Sequence, residues 1–146
     1  MSGVQCLQLD VGNSSAKWRL MSGAELIARG VYRRDDEDSR TRLLACSDVV
    51  QAIWIASVAS EEAEWHLAAM LEERWQLRPW FARSEARTGT LINSYQQPLR
   101  MGVDRWLAML GAWRREPTRL CVVDAGSALT IDLVAADGRH EGGYII

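Results

Sequence analysis

The sequence predicts an α/β protein: one complete sheet-and-helix domain followed by the opening strands of a second, similar one. Two observations predict it. Residues Leu7–Trp18 and Leu120–Leu133 are built alike, each an apolar strand, an Asp-x-Gly turn and a second strand. Between them the apolar periodicity reads three strands, helix, strand, helix, strand, helix, and at Glu116-Pro117-Thr118 the pattern restarts.

The elements follow in order. Residues 4–11, 16–22 and 25–32 read as strands, with Ser22-Gly23 as a turn. The charged stretch 33–42 reads as an exposed connection into a short helix over 39–47, with Asp35-Asp36-Glu37-Asp38 as a solvated loop. Residues 51–58 carry the buried strand Ala52-Ile53-Trp54-Ile55-Ala56. Ser60 caps a long helix whose first-turn acids sit at its positive end. Its core stripe is expected to be Trp65, Leu67, Ala68, Leu71 and Trp75. Leu77–Ala82 reads as a strand, 83–98 as a polar loop, and 103–115 as a helix with Val103, Trp106, Leu107, Leu110 and Trp113 on one side. The Trp stripes read as core or as a dimer interface.

The expected domains are 1–116 and 117–146. The second would hold three strands and no helix to cover them. A sheet with a bare apolar face is not stable alone, so either those strands pack on something else or, the reading favoured, the chain is an N-terminal piece of a longer protein. The order of elements is that of an actin-like (ribonuclease-H-like, ASKHA) fold.

Composition narrows the function classes. Of 146 residues 48% are hydrophobic, enough for an ordinary core. The formal net charge is −2 with both signs interspersed, which argues against a nucleic-acid partner. No apolar run approaches membrane-spanning length, Cys6, Cys46 and Cys121 form no disulfide or zinc spacing, and the start is no signal peptide; a cytoplasmic location is expected. His66 and His140 lack neighbours that suggest metal binding or catalysis. Sixteen of the 17 basic residues are Arg, and the one Lys, Lys17, stands beside the first Asp-x-Gly turn. Codon bias accounts for that, and so does a point-charge partner for phosphate.

Three segments carry chemistry. In each Asp-x-Gly turn, Gly is expected to permit backbone angles closed to other residues, letting successive N–H groups converge on an anion. Asp10 or Asp124 would hold the cation that travels with a nucleotide phosphate. Each could instead be an ordinary turn. The third segment runs from Asn93 to Arg105, with Gly102 allowing a ligand close to the backbone. Asp104 is placed to accept the proton of an attacking hydroxyl, Arg105 to grip a carboxylate or phosphate bidentately, and Tyr95 to offer a hydroxyl and an aromatic wall. The plainer alternative is a charge at a helix start with an ion-pair neighbour.

Taken together, these segments resemble the type III pantothenate kinases of the actin-like kinase superfamily. The resemblance rests on Asp10-Val11-Gly12-Asn13-Ser14 with Lys17-Trp18, on Tyr95 and Pro98 before Gly102-Val103-Asp104-Arg105, on Asp124-Ala125-Gly126-Ser127-Ala128 with Thr130 and Asp132, and on the closing Gly142-Gly143-Tyr144-Ile145-Ile146. It implies ATP-dependent phosphorylation of pantothenate, the first step of coenzyme A synthesis. ATP would be held by Asp10, Val11, Gly12, Asn13, Ser14, Ser15, Ala16, Lys17, Gly126 and Ser127, with Mg²⁺ at Asp10. A monovalent cation, K⁺ or NH₄⁺, would sit at Asp124. Pantothenate would be held by Tyr95, Gly102, Val103, Asp104 and Arg105, with Asp104 as general base. A homodimer is implied, and this stretch alone is expected to be inactive. The competing readings are a non-catalytic nucleotide-binding regulatory protein on the same fold and another actin-like small-molecule kinase.

Overall fold

The computed structural model describes residues 3–146. They form two compact units, one ending at Ala82 and one running from Arg83 to Ile146. In the first, β1 (Gln5–Val11), β2 (Ala16–Ser22) and β3 (Glu25–Tyr32) make an antiparallel meander, to which β4 (Ala52–Ser57) and β5 (Trp80–Phe81) add in parallel, giving the order β3-β2-β1-β4-β5. The parallel pairs need crossovers, and α1 (Glu37–Leu44) and α2 (Glu61–Trp75) supply them. Alternate residues Leu7, Leu9 and Val11 of β1 point into a core shared with Trp18, Leu20, Ile53, Ile55, Leu43, Leu67 and Leu71.

Two helices differ from the sequence reading. α1 starts at Glu37 inside the acidic run, because Asp36 is its N-cap: the side chain accepts from Asp38 and Ser39 N–H at 3.1 and 3.2 Å. The acids read as a loop therefore stand on the positive end of the helix. On α2, Ser60 caps Ala63 as expected, but Trp65 is 67% exposed. The buried stripe is Leu67, Leu71 and half-buried Trp75, and Trp65 lies two residues from Leu67, about 200° around the helix. β5 is only two residues long.

In the second unit the expected polar loop holds a small hairpin, β6 (Arg87–Thr88) and β7 (Leu91–Ile92), turning through Gly89 at φ +60°. A single 3-10 turn, Pro98–Arg100, precedes α3 (Val103–Arg115). Then β8 (Leu120–Ala125), β9 (Leu129–Val134) and β10 (His140–Ile145) form an antiparallel sheet of order β10-β9-β8. This sheet is not bare. Trp106, Met109 and Trp113 of α3 pack on Val134, Leu120 and Val122, and Trp113 Nε1 donates to Thr90 Oγ1 at 3.0 Å. Residues 116 and 117 lie between α3 and the strands it covers. The other face keeps Val123, Leu133 and Tyr144 exposed. Among the described residues no helix is long and apolar enough to cross a membrane.

Candidate active site

Each Asp-x-Gly motif closes a β-hairpin. In the first, β1 and β2 pair so that Asp10 lies opposite Lys17. Both are exposed, on the face opposite the buried Leu9 and Trp18. The turn is closed by Gly12 N–H donating to the Ser15 carbonyl at 2.9 Å. In the second, Asp124 lies opposite Thr130 and Gly126 N–H donates to the Ala128 carbonyl at 3.1 Å. The reason expected for these glycines does not hold. Neither has a positive φ, and a Cβ on either would meet only ordinary contacts, the nearest at 3.5 and 3.9 Å. Their own N–H groups are spent inside the turns. What remains for an anion are the neighbouring amides: among the described residues, the N–H groups of Asn13, Ser14 and Ser127 find no acceptor within the chain.

The start of α3 gathers the third segment. Gly102 is the N-cap, with φ −55°, ψ 130° and no side chain to cap with. Its lack of a Cβ has a visible use within the chain. A Cβ there would stand 2.7 Å from Asp104 Oδ1. The atom that approaches this backbone closely is the carboxylate of the chain's own Asp104, which accepts from Arg105 N–H at 2.9 Å. Asp104 stays half-buried in the first helical turn, where the helix dipole favours its charge.

Arg105 is buried, and its bidentate grip is already taken. Nε and Nη2 donate to Asp132 Oδ2 and Oδ1 at 3.0 and 2.6 Å, and Nη1 donates to the Tyr95 hydroxyl at 3.0 Å. Of its five N–H groups, one on Nη1 and one on Nη2 are left. These hydrogen bonds, those to Asp132 first, hold the guanidinium charged far into alkaline conditions against the opposing cost of burial.

The network runs further. His140, 4% exposed, places Nε2 2.8 Å from Asp132 Oδ1 and Nδ1 2.7 Å from Ser94 Oγ, and its ring stacks on Tyr95 at 6.5 Å. The Asp132 carboxylate only accepts, so Nε2 carries the proton. His140 and Asp132 are the residues that sequence reasoning missed in role. One signal was available: Thr130, Asp132 and Val134 share the alternation of a half-buried strand, which puts a carboxylate on an apolar face, where it needs a partner. Gly143 belongs to the same cluster. A Cβ there would collide with Asp132 Oδ1, with the Ile131 carbonyl at 2.5 Å and with Arg105 Nη2 at 2.7 Å. Beside the network lies an open depression of about 420 Å³ lined by Tyr95, Gln96, Gln97 and Arg100.

Among the described residues no group of three or more His, Cys, Asp or Glu side chains could hold a metal ion. Asp10 and Asp124 each present one exposed carboxylate at the end of a strand. A single exposed carboxylate such as that of Asp10 is a donor of the kind Mg²⁺ takes when it arrives with its own phosphates.

The strand orders and helix crossovers define the class, an actin-like α/β fold. Within that class, the chain belongs to the type III pantothenate kinase family, whose model matches residues 6–146. A type III pantothenate kinase of Cellvibrio japonicus is 38% identical over 142 residues, covering 95% of this chain and 56% of the relative. One of Thiobacillus denitrificans is 38% identical over 146 residues, covering 100% and 58%. The chain therefore spans little more than half the length of these relatives. A solved structure from Campylobacter jejuni, described as a Baf family transcriptional activator, superposes with a TM-score of 0.56 at 26% identity, covering 96% of this chain and 53% of that one.

Proposed function

We propose that the protein phosphorylates pantothenate with ATP, opening coenzyme A synthesis, and that Asp104 is the base. The observation that carries this is the start of α3: a half-buried carboxylate held beside a glycine N-cap, next to an arginine locked to Asp132 and Tyr95. Family membership supplies the reaction class. Phosphoryl transfer needs positioning and charge neutralisation more than covalent help from the protein. The substrate hydroxyl oxygen bonds to the γ-phosphorus as the bond to ADP breaks, and Asp104 takes the hydroxyl proton. Tyr95, Gly102, Val103 and Arg105 hold pantothenate, with the remaining Nη1 and Nη2 hydrogens of Arg105 available to its oxygens.

The hairpin residues 10–17, with Gly126 and Ser127, serve the nucleotide. Their unspent amides and Lys17 bind phosphate oxygens. Asp10 would hold Mg²⁺ and Asp124 a monovalent cation, which would supply positive charge to offset that of the phosphates. The working protein is a homodimer.

The test uses the whole natural reading frame that carries this sequence. ADP release is measured with pantothenate, glycerol, glucose and acetate as acceptors, alongside ATP binding. Pantothenate-dependent turnover is expected, lost in Asp104→Asn while ATP still binds. Normal turnover by that variant sinks the base, and preference for another acceptor sinks the substrate. The description of the Campylobacter jejuni structure favours one second reading, a nucleotide-binding regulator; ATP bound without turnover on any acceptor would select it.

A further inference from the structure

We infer that Asp132 and His140 are positioning residues that fix both the aim of Arg105 and the polarity of the Tyr95 hydroxyl, and that Gly143 is the clearance that lets them meet. The inference rests on the functional reading above.

The chain of hydrogen bonds has a single direction. Arg105 can only donate, so the Tyr95 oxygen accepts from Nη1 and keeps its own proton for another partner. Asp132 can only accept. It takes two bonds from Arg105 and one from His140 Nε2, which fixes the guanidinium plane. His140 in turn sits against the Tyr95 ring at an interplanar angle of 29° and holds Ser94, the residue before Tyr95, through Nδ1. Tyr95 is thus held at its ring, at its hydroxyl and through its chain neighbour. The outcome is a phenol that presents a proton, rather than a lone pair, to a ligand oxygen acceptor such as a carboxylate or amide carbonyl.

β10 makes this possible by two glycines with different tasks. Gly142 takes φ +121° where the register slips between His140 and Gly142. Gly143 leaves out the Cβ that would strike the Arg105–Asp132 pair. Both surroundings are closed to a larger residue, one by backbone angle and one by space.

The test compares His140→Gln, which keeps an N–H for Asp132, with His140→Leu, which does not, in the full natural protein. Two readouts are taken: KM for pantothenate against KM for ATP, and the exchange protection of the Arg105 Nε–H resonance by NMR. His140→Leu is expected to raise KM for pantothenate about tenfold, leave KM for ATP within about twofold, and make the Arg105 Nε–H exchange fast. His140→Gln falls between leucine and wild type. In a Tyr95→Phe background, His140→Leu should add little, since the polarised hydroxyl is already gone. Arg105 protection unchanged in His140→Leu overturns the inference, as does an equal rise in both KM values. If the leucine variant does not fold, His140→Gln and Ser94→Ala decide by the same readouts. A wild-type protein that ignores pantothenate refutes the functional reading instead, and the NMR arm still decides whether His140 holds Arg105.

Discussion

Gly102 and Asp104 set the finest scale at which this site can be disturbed. A methyl group at residue 102 would meet the far end of the Asp104 side chain, not backbone, so the carboxylate yields and the helix survives. Gly102→Ala should cut kcat by up to about 10²-fold through misplacement of the base, while urea unfolding shifts by less than about 1 kcal/mol. Arg105 is the opposite case. Arg105→Ala strands the Asp132 carboxylate in the interior, and loss of one partner of a buried pair costs about 3–5 kcal/mol. Urea unfolding of the variant measures it, and Arg105→Lys should recover only part, since one ammonium cannot serve two carboxylate oxygens and a phenol at fixed angles. The cysteines give a third residue-scale test. Burial pushes the Cys6 and Cys46 thiols up, and Cys121 is exposed. The thiolate is the reactive form, so mass spectrometry should find Cys121 alkylated by iodoacetamide before the other two at neutral pH.

α3 makes the second unit viable at the scale of the element. Three of its buried residues, Trp106, Met109 and Trp113, sit at i, i+3 and i+7 and face β8 and β9. Trp113→Ala removes the ring and the hydrogen bond to Thr90, and should cost about 3–5 kcal/mol in denaturant unfolding. α2 depends more on its cap: Ser60→Ala frees the Ala63 N–H and should cost about 1 kcal/mol. Trp65→Ala, on the exposed side of the same helix, should change stability by less than about 0.5 kcal/mol.

At the scale of the whole molecule, each unit has a buried cluster of its own, one around Leu7, Ile55 and Leu71 and one around Trp106, Met109 and Val134. Trp113→Ala should therefore lower hydrogen-exchange protection across residues 83–146 before it does so across β1 and β4. Leu7→Ala should do the reverse. Equal loss across both units in either variant would show one cooperative core.

Much of this molecule could be read without coordinates. β1 to β4 alternate or run apolar between Gly turns, the cap at Ser60 precedes an acidic first turn, and the two Asp-x-Gly turns repeat. Local rules of period, capping and turn chemistry act within a few residues, and the sequence determines them directly. It also placed Asp104 and Arg105 at a helix start. Sequence by itself could not say what Arg105 grips. Asp132 is 27 residues away and His140 a further eight, and only the packing of α3 on β8 and β9, with β10 paired to β9, brings the three together. The same packing decided that the late strands are covered, and that Gly102 and Gly143 leave room for the side chains of Asp104, Asp132 and Arg105. Those outcomes depend on which faces meet, and burial forces a charged group placed there to find its partner from another part of the chain.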